Sequence, residues 1–78
     1  MPVRTVKERA ALRRIGNAIV KRRILSETTQ EDVAEHAGIS VQFLRRVEHG
    51  TGNPSYLTML SVARALGLQL VDLVREAE

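Results

Sequence analysis

The sequence predicts an all-α protein, a compact five-helix bundle. Two observations lead there: apolar residues recur at helical rather than alternating spacing, and helix caps and helix-ending glycines follow one another along the chain. No segment alternates with period two for long enough to argue a strand, and no internal repeat is visible.

The first helical segment runs from about residue 5 to 25. Thr5-Val6-Lys7-Glu8 has the form of a capping box, and Pro2 and Val3 lie outside it. Val6, Ala10, Ile15, Ala18, Ile19 and Val20 mark one apolar face. Gly16 interrupts the segment, which is either one helix or two pieces; one long helix is the expectation. A second start follows at Thr28-Thr29-Gln30-Glu31-Asp32. Either threonine can cap, and the acidic first turn suits the helix dipole. Val33, Ala34 and Ala37 form its apolar stripe, and Gly38 ends it.

Ser40 can cap a third helix over Val41 to His49, with Leu44 and Val47 facing one way and Gly50 as the stop. Val41, Gln42, Arg45, Arg46 and His49 face other ways. Thr51-Gly52-Asn53-Pro54 reads as a loop, and Ser55 caps a fourth helix with Leu57, Leu60, Ala63 and Leu66 on its core face. Gly67 stops it, and a last amphipathic helix runs from about Leu70 to Glu76. One domain thus spans residues 1–78: a basic helix at 5–25, a helix pair at 29–50 and the last helices at 55–76.

Composition narrows the partners. Hydrophobic residues make up 44% and charged residues 27%, the balance of a folded chain rather than a disordered one. Without cysteine there is no disulfide scaffold and no Cys-based zinc site. No stretch approaches the roughly 20 apolar residues that span a bilayer, and no apolar run follows the basic amino terminus. A cytoplasmic protein that does not engage membranes is therefore expected.

Between Met1 and Arg23 the basic residues are Arg4, Lys7, Arg9, Arg13, Arg14, Lys21, Arg22 and Arg23, against the single acid Glu8. Beyond Gly50 the charges nearly balance, Arg64 and Arg75 against Asp72, Glu76 and Glu78. Such unevenness suits a polyanionic partner, or simply a solvated helix surface. His36 and His49 stand too far apart and too unaccompanied for a metal or a catalytic role, and Ser26, Ser40 and Ser61 lack a base partner. No cofactor and no enzymatic activity are expected.

The informative feature is the pair of short helices joined at Gly38. Eight residues cannot hold a helix alone in water, but two such helices propped by neighbours form a helix-turn-helix. The second needs an apolar inner face, here Leu44 and Val47, and a polar outer face, here Gln42, Arg45 and Arg46, to enter a major groove about 12 Å wide.

Gln30-Glu31-Asp32-Val33-Ala34-Glu35-His36-Ala37-Gly38-Ile39-Ser40, then Leu44, Val47-Glu48, Gly50 and Asn53-Pro54-Ser55, resemble the phage repressor/Cro-type (XRE) helix-turn-helix domains. The likeness runs from about Ile15 to Leu73 and implies a lambda-repressor-like fold and double-stranded DNA as the partner. It implies that Gln30 grips a phosphate, helped by its backbone amide, and that Val41, Gln42, Arg45 and Arg46 face the bases. Gln42 could bond adenine, and either arginine could bond guanine. Asn53 and Ser55 sit where the family's loop touches the DNA backbone. Arg22, with Lys21, can reach phosphates or remain solvated. Arg23 and Glu48 match an internal salt bridge between the first helix and the reading helix.

Three departures stand out. The family often places at position 41 a polar side chain that buttresses the glutamine at position 30, and Val41 cannot do so; it can instead touch a thymine methyl. Phe43 can approach the sugar-phosphate edge or pack against the next helix. Glu27 and Thr28 replace a common Gly-Leu pair, so the joint should differ there.

The apolar run at 66–74 exceeds what one short terminal helix buries. It either closes the core or, through Leu68, Leu70, Val71 and Val74, pairs with a second copy across a two-fold axis. The reading as a whole is a homodimeric transcriptional regulator on a pseudo-palindromic operator, such as a restriction-modification controller protein. Alternatives are the antitoxin of a toxin–antitoxin pair, which would also bind its toxin, and a protein-interaction module on the same fold.

Overall fold

The computed structural model describes residues 5–78, so Pro2, Val3 and the basic Arg4 lie outside the described part. Five helices follow in order: α1 (Val6–Leu25), α2 (Gln30–Ala37), α3 (Val41–Glu48), α4 (Tyr56–Ala65) and α5 (Leu70–Ala77). Their starts are chemically marked. Thr5 and Glu8 close the expected capping box on α1. Of the two threonines before α2, Thr29 is the cap; its hydroxyl accepts from the Asp32 amide at 3.0 Å while Asp32 returns to the Thr29 amide. Ser40 and Ser55 cap α3 and α4.

α1 is unbroken through Gly16. That glycine sits where α1 crosses the end of α3, with no room for a side chain between the two backbones. α2 lies against α3 and α4, and α1 packs on α3 and α5. At the centre, Ile19, Val33, Leu44, Val47, Val62 and Leu73 are fully buried. Each contributes about 1.5–3 kcal/mol by leaving water. Every helix supplies at least one of these side chains, so the short α2 and α3 are held from behind by the other three.

Two expectations about the core are corrected. Val6 is 74% exposed, because the first turn of α1 extends beyond the packed body. Leu57 is 71% exposed, and α4 instead buries Val62 and Ala63, with Leu66 following at its end. Among the described residues no single helix is long and apolar enough to cross a membrane. α4 and α5 together have the length and composition, but they bend by 96° and bury Val62, Ala63 and Leu73 in the core.

The joint between α1 and α2 carries a local strain. Glu27 has φ +56°, a left-handed conformation that costs a residue with a Cβ about 1–2 kcal/mol. The Ser26 and Thr28 hydroxyls bond each other across it at 2.8 Å. Glu27→Gly should relieve the strain and, after the added freedom of the unfolded chain, raise stability by about 0.5 kcal/mol. Urea unfolding at constant m-value measures this; a loss of stability would refute the assignment of strain.

Candidate nucleic-acid interface

The joint between α2 and α3 is set by Gly38, at φ +72° and ψ +30°, which ends α2 in the left-handed conformation. Ile39 then donates its amide back to the Ala34 carbonyl, and Ser40 caps α3 two residues after the glycine. The turn is too short to wander, so the angle between the helices is fixed by sequence.

α3 divides sharply by face. Leu44, Val47 and Glu48 are buried, whereas Gln42, Arg45 and Arg46 are exposed. Val41 is half-buried against the core. Phe43 also packs partly on the core, and the Arg46 guanidinium lies over its ring, 5.6 Å from the centroid. A cation above an aromatic face is attracted by the ring quadrupole, so Phe43 restrains Arg46 on the outer surface.

Behind this surface lies a connected polar network. Arg23 donates from Nε and Nη2 to the two carboxylate oxygens of Glu48, at 3.0 and 3.2 Å. Its Nη1 also reaches the Thr28 carbonyl at 3.4 Å. Glu48 is 6% exposed, so its charge is compensated inside the protein rather than by water. The Gln30 Nε2 donates to the same carboxylate at 2.8 Å, and the Gln30 Oε1 accepts from Arg45 Nε at 3.1 Å. Arg45 Nη2 reaches Glu31 at 3.5 Å, closing the chain at the surface. The path thus runs from the buried Arg23–Glu48 pair through Gln30 to Arg45 on the outer face. Nothing in the sequence announces the Gln30–Arg45 link, although Val41 leaves Gln30 without the polar support that the resemblance implies at position 41.

The remaining predicted residues are placed as follows. Asn53 is exposed in the loop before α4. The Ser55 hydroxyl accepts from the Thr58 amide and donates to the Thr58 hydroxyl, so capping occupies it. Arg22 is turned toward the carboxyl-terminal helix, where it pairs with Glu76. Of the four residues expected at a dimer contact, Leu68 and Leu70 pack partly on the core, while Val71 and Val74 are 48% and 44% exposed. An open groove beside them is walled by Leu12, Pro54, Tyr56, Met59, Leu70 and Val74. Tyr56 belongs to that surface, although no motif in the sequence singles it out. Among the described residues no group of acidic and histidine side chains could hold a metal ion.

Residues 19–73 match the family model HTH_3, described as helix-turn-helix. An uncharacterized HTH-type transcriptional regulator of Sinorhizobium fredii, y4dJ, is 37% identical over 60 residues, covering 77% of this chain and 78% of that protein. Among solved structures, the restriction-modification controller protein C.AhdI of Aeromonas hydrophila superposes with a TM-score of 0.77 at 27% identity. That match covers 80% of this chain and 94% of C.AhdI. The clp gene regulator ClgR of Corynebacterium glutamicum gives 0.83 at 28% identity, covering 86% of this chain and 71% of its own.

Proposed function

We propose that this chain, which belongs to the HTH_3 helix-turn-helix family and is a DNA-binding transcriptional regulator, acts as a homodimer on a pseudo-palindromic operator. The observation that carries this reading is the two-faced α3: Leu44, Val47 and Glu48 fixed in the core, Gln42, Arg45 and Arg46 held outside. A helix so anchored can enter a major groove without losing its own packing. Gln42 and Arg46 carry hydrogen-bonding groups to base edges, Val41 offers a methyl contact, and Arg45 lies on the same face. Gln30 and Asn53 flank them at the backbone, where contacts position the helix without reading sequence.

Dimerisation is supported by the apolar side chains left outside the core near the carboxyl-terminal helix. Val71 and Val74 are half-exposed and Tyr56 is 69% exposed, which is costly in water and suits a self-complementary contact. Among possible settings, control of a restriction-modification system is favoured by the 94% coverage of C.AhdI, which this chain nearly matches end to end. Such a regulator would work inside the cell, without a cofactor or a catalytic step.

Selection of bound duplexes from a random pool tests the reading. Two inverted half-sites about one helical turn apart, near 34 Å, are expected. Affinity for the selected site should fall steeply as salt rises, since phosphate contacts release counterions. A single asymmetric half-site would refute the dimer. No enrichment together with salt-independent affinity would favour a protein-interaction module instead.

A further inference from the structure

Resting on the DNA-binding reading, we infer that Arg45 is a positioning residue that buttresses Gln30, and not one of the base-reading side chains. The resemblance to repressor domains implies a polar buttress at position 41, and this chain has Val41 there. The geometry supplies the missing support from the next turn of the same helix. Arg45 Nε donates to Gln30 Oε1 at 3.1 Å, while Glu48 accepts from the other end of the same amide at 2.8 Å.

These two contacts fix which way the amide points. A flipped Gln30 would set its oxygen against the Glu48 carboxylate and its NH2 group against the Arg45 guanidinium. Both contacts would be repulsive, so only one orientation survives. In that orientation one N–H of Nε2 is used by Glu48 and the second remains to donate. A phosphate oxygen is purely an acceptor, so this is the hydrogen that Gln30 must present. The anchor is stiff because Glu48 is itself clamped by two bonds from Arg23 and is 6% exposed.

Arg45 is correspondingly committed. Its Nε is directed to Gln30 and its Nη2 to Glu31, on α2 rather than outward from α3. The neighbouring carboxylate offsets its charge, which makes it a weak free cation for the groove. Gln42 and Arg46, neither of which bonds to α2, then carry the polar base readings. Arg45 acts at one remove, by holding the phosphate contact of Gln30 in register.

A double-mutant cycle tests this on the intact chain. Gln30→Ala, Arg45→Ala and the double variant are titrated against the selected operator over a range of salt, and each is put through the same random-pool selection. Each single change should weaken binding about tenfold, and the double should be no more than about twofold weaker than either, because both remove one contact. Arg45→Ala should leave the preferred sequence and the salt slope unchanged. Relaxed preference at one base position would show that Arg45 reads a base, and a slope smaller by about one would show that it binds phosphate itself. Either result, or additive losses in the double variant, overturns the assignment. Thermal melts of the variants confirm that they fold, since Arg45 is exposed and Gln30 only half-buried. Failure of the unaltered protein to bind DNA at all would instead sink the functional reading.

Discussion

Glu48→Ala is expected to lower the stability of the domain by about 3 kcal/mol, and its melting temperature by more than about 10 °C. The carboxylate is buried and accepts three hydrogen bonds, two from Arg23 and one from Gln30. Its removal leaves a largely buried guanidinium without a counter-charge and an amide N–H without an acceptor, each costly at low dielectric. The intact pair itself contributes little, since two charges leave water to make it. The penalty arises from stranding one partner. Arg23→Ala should therefore be similarly harmful, whereas replacing both by apolar residues should recover part of the loss. Glu48→Gln keeps the shape and one acceptor, so its cost should be smaller. Thermal and urea unfolding measure all four variants. A Glu48→Ala protein as stable as the parent would show that the network is incidental.

Much of this was legible before the structure, and the reason differs from place to place. Helix starts were readable because caps are local chemistry: Thr5 with Glu8, Ser40 and Ser55 each act within three residues. α3 was equally clear, since Leu44 and Val47 fall three apart on one face and are its buried apolar pair. α4 was harder. Leu57, Met59, Leu60, Val62, Ala63 and Leu66 put apolar groups nearly all round it, so periodicity alone does not choose a face. Docking on α2 decides, burying Val62 and leaving Leu57 outside. The Arg23–Glu48 bond followed from the resemblance to repressor domains. The Gln30–Arg45 bond did not, because it joins two helices and depends on the angle between α2 and α3. Arg22 shows the same limit: its partner Glu76 comes from the far end of the chain, and nothing local to either residue announces the pairing.

Gly16→Ala presents the sharper contradiction between local preference and tertiary demand. In the middle of an exposed helix this change would stabilise by about 1 kcal/mol, since glycine is a poor helix former. Here a Cβ at position 16 would stand 2.5 Å from the Glu48 carbonyl oxygen and 2.6 Å from that of Val47. Both are backbone atoms at the end of α3, so no rotamer change relieves the overlap. α1 and α3 would have to separate, loosening the packing of Ile19 and Val47. Overpacking of this kind costs about 1–3 kcal/mol or more, and the rigidity of two crossing helices puts this site at the upper end. The displacement would also pull Glu48 from Arg23, because the carbonyl under pressure and the buried carboxylate belong to the same residue. A net loss of about 2 kcal/mol or more is expected, against the propensity gain. Asn17→Ala, one residue on and exposed, provides the internal comparison and should be neutral or slightly stabilising. Urea unfolding of the two variants decides the point. If Gly16→Ala matched or exceeded the parent in stability, the close crossing of α1 over α3 would not be what holds α3 in place.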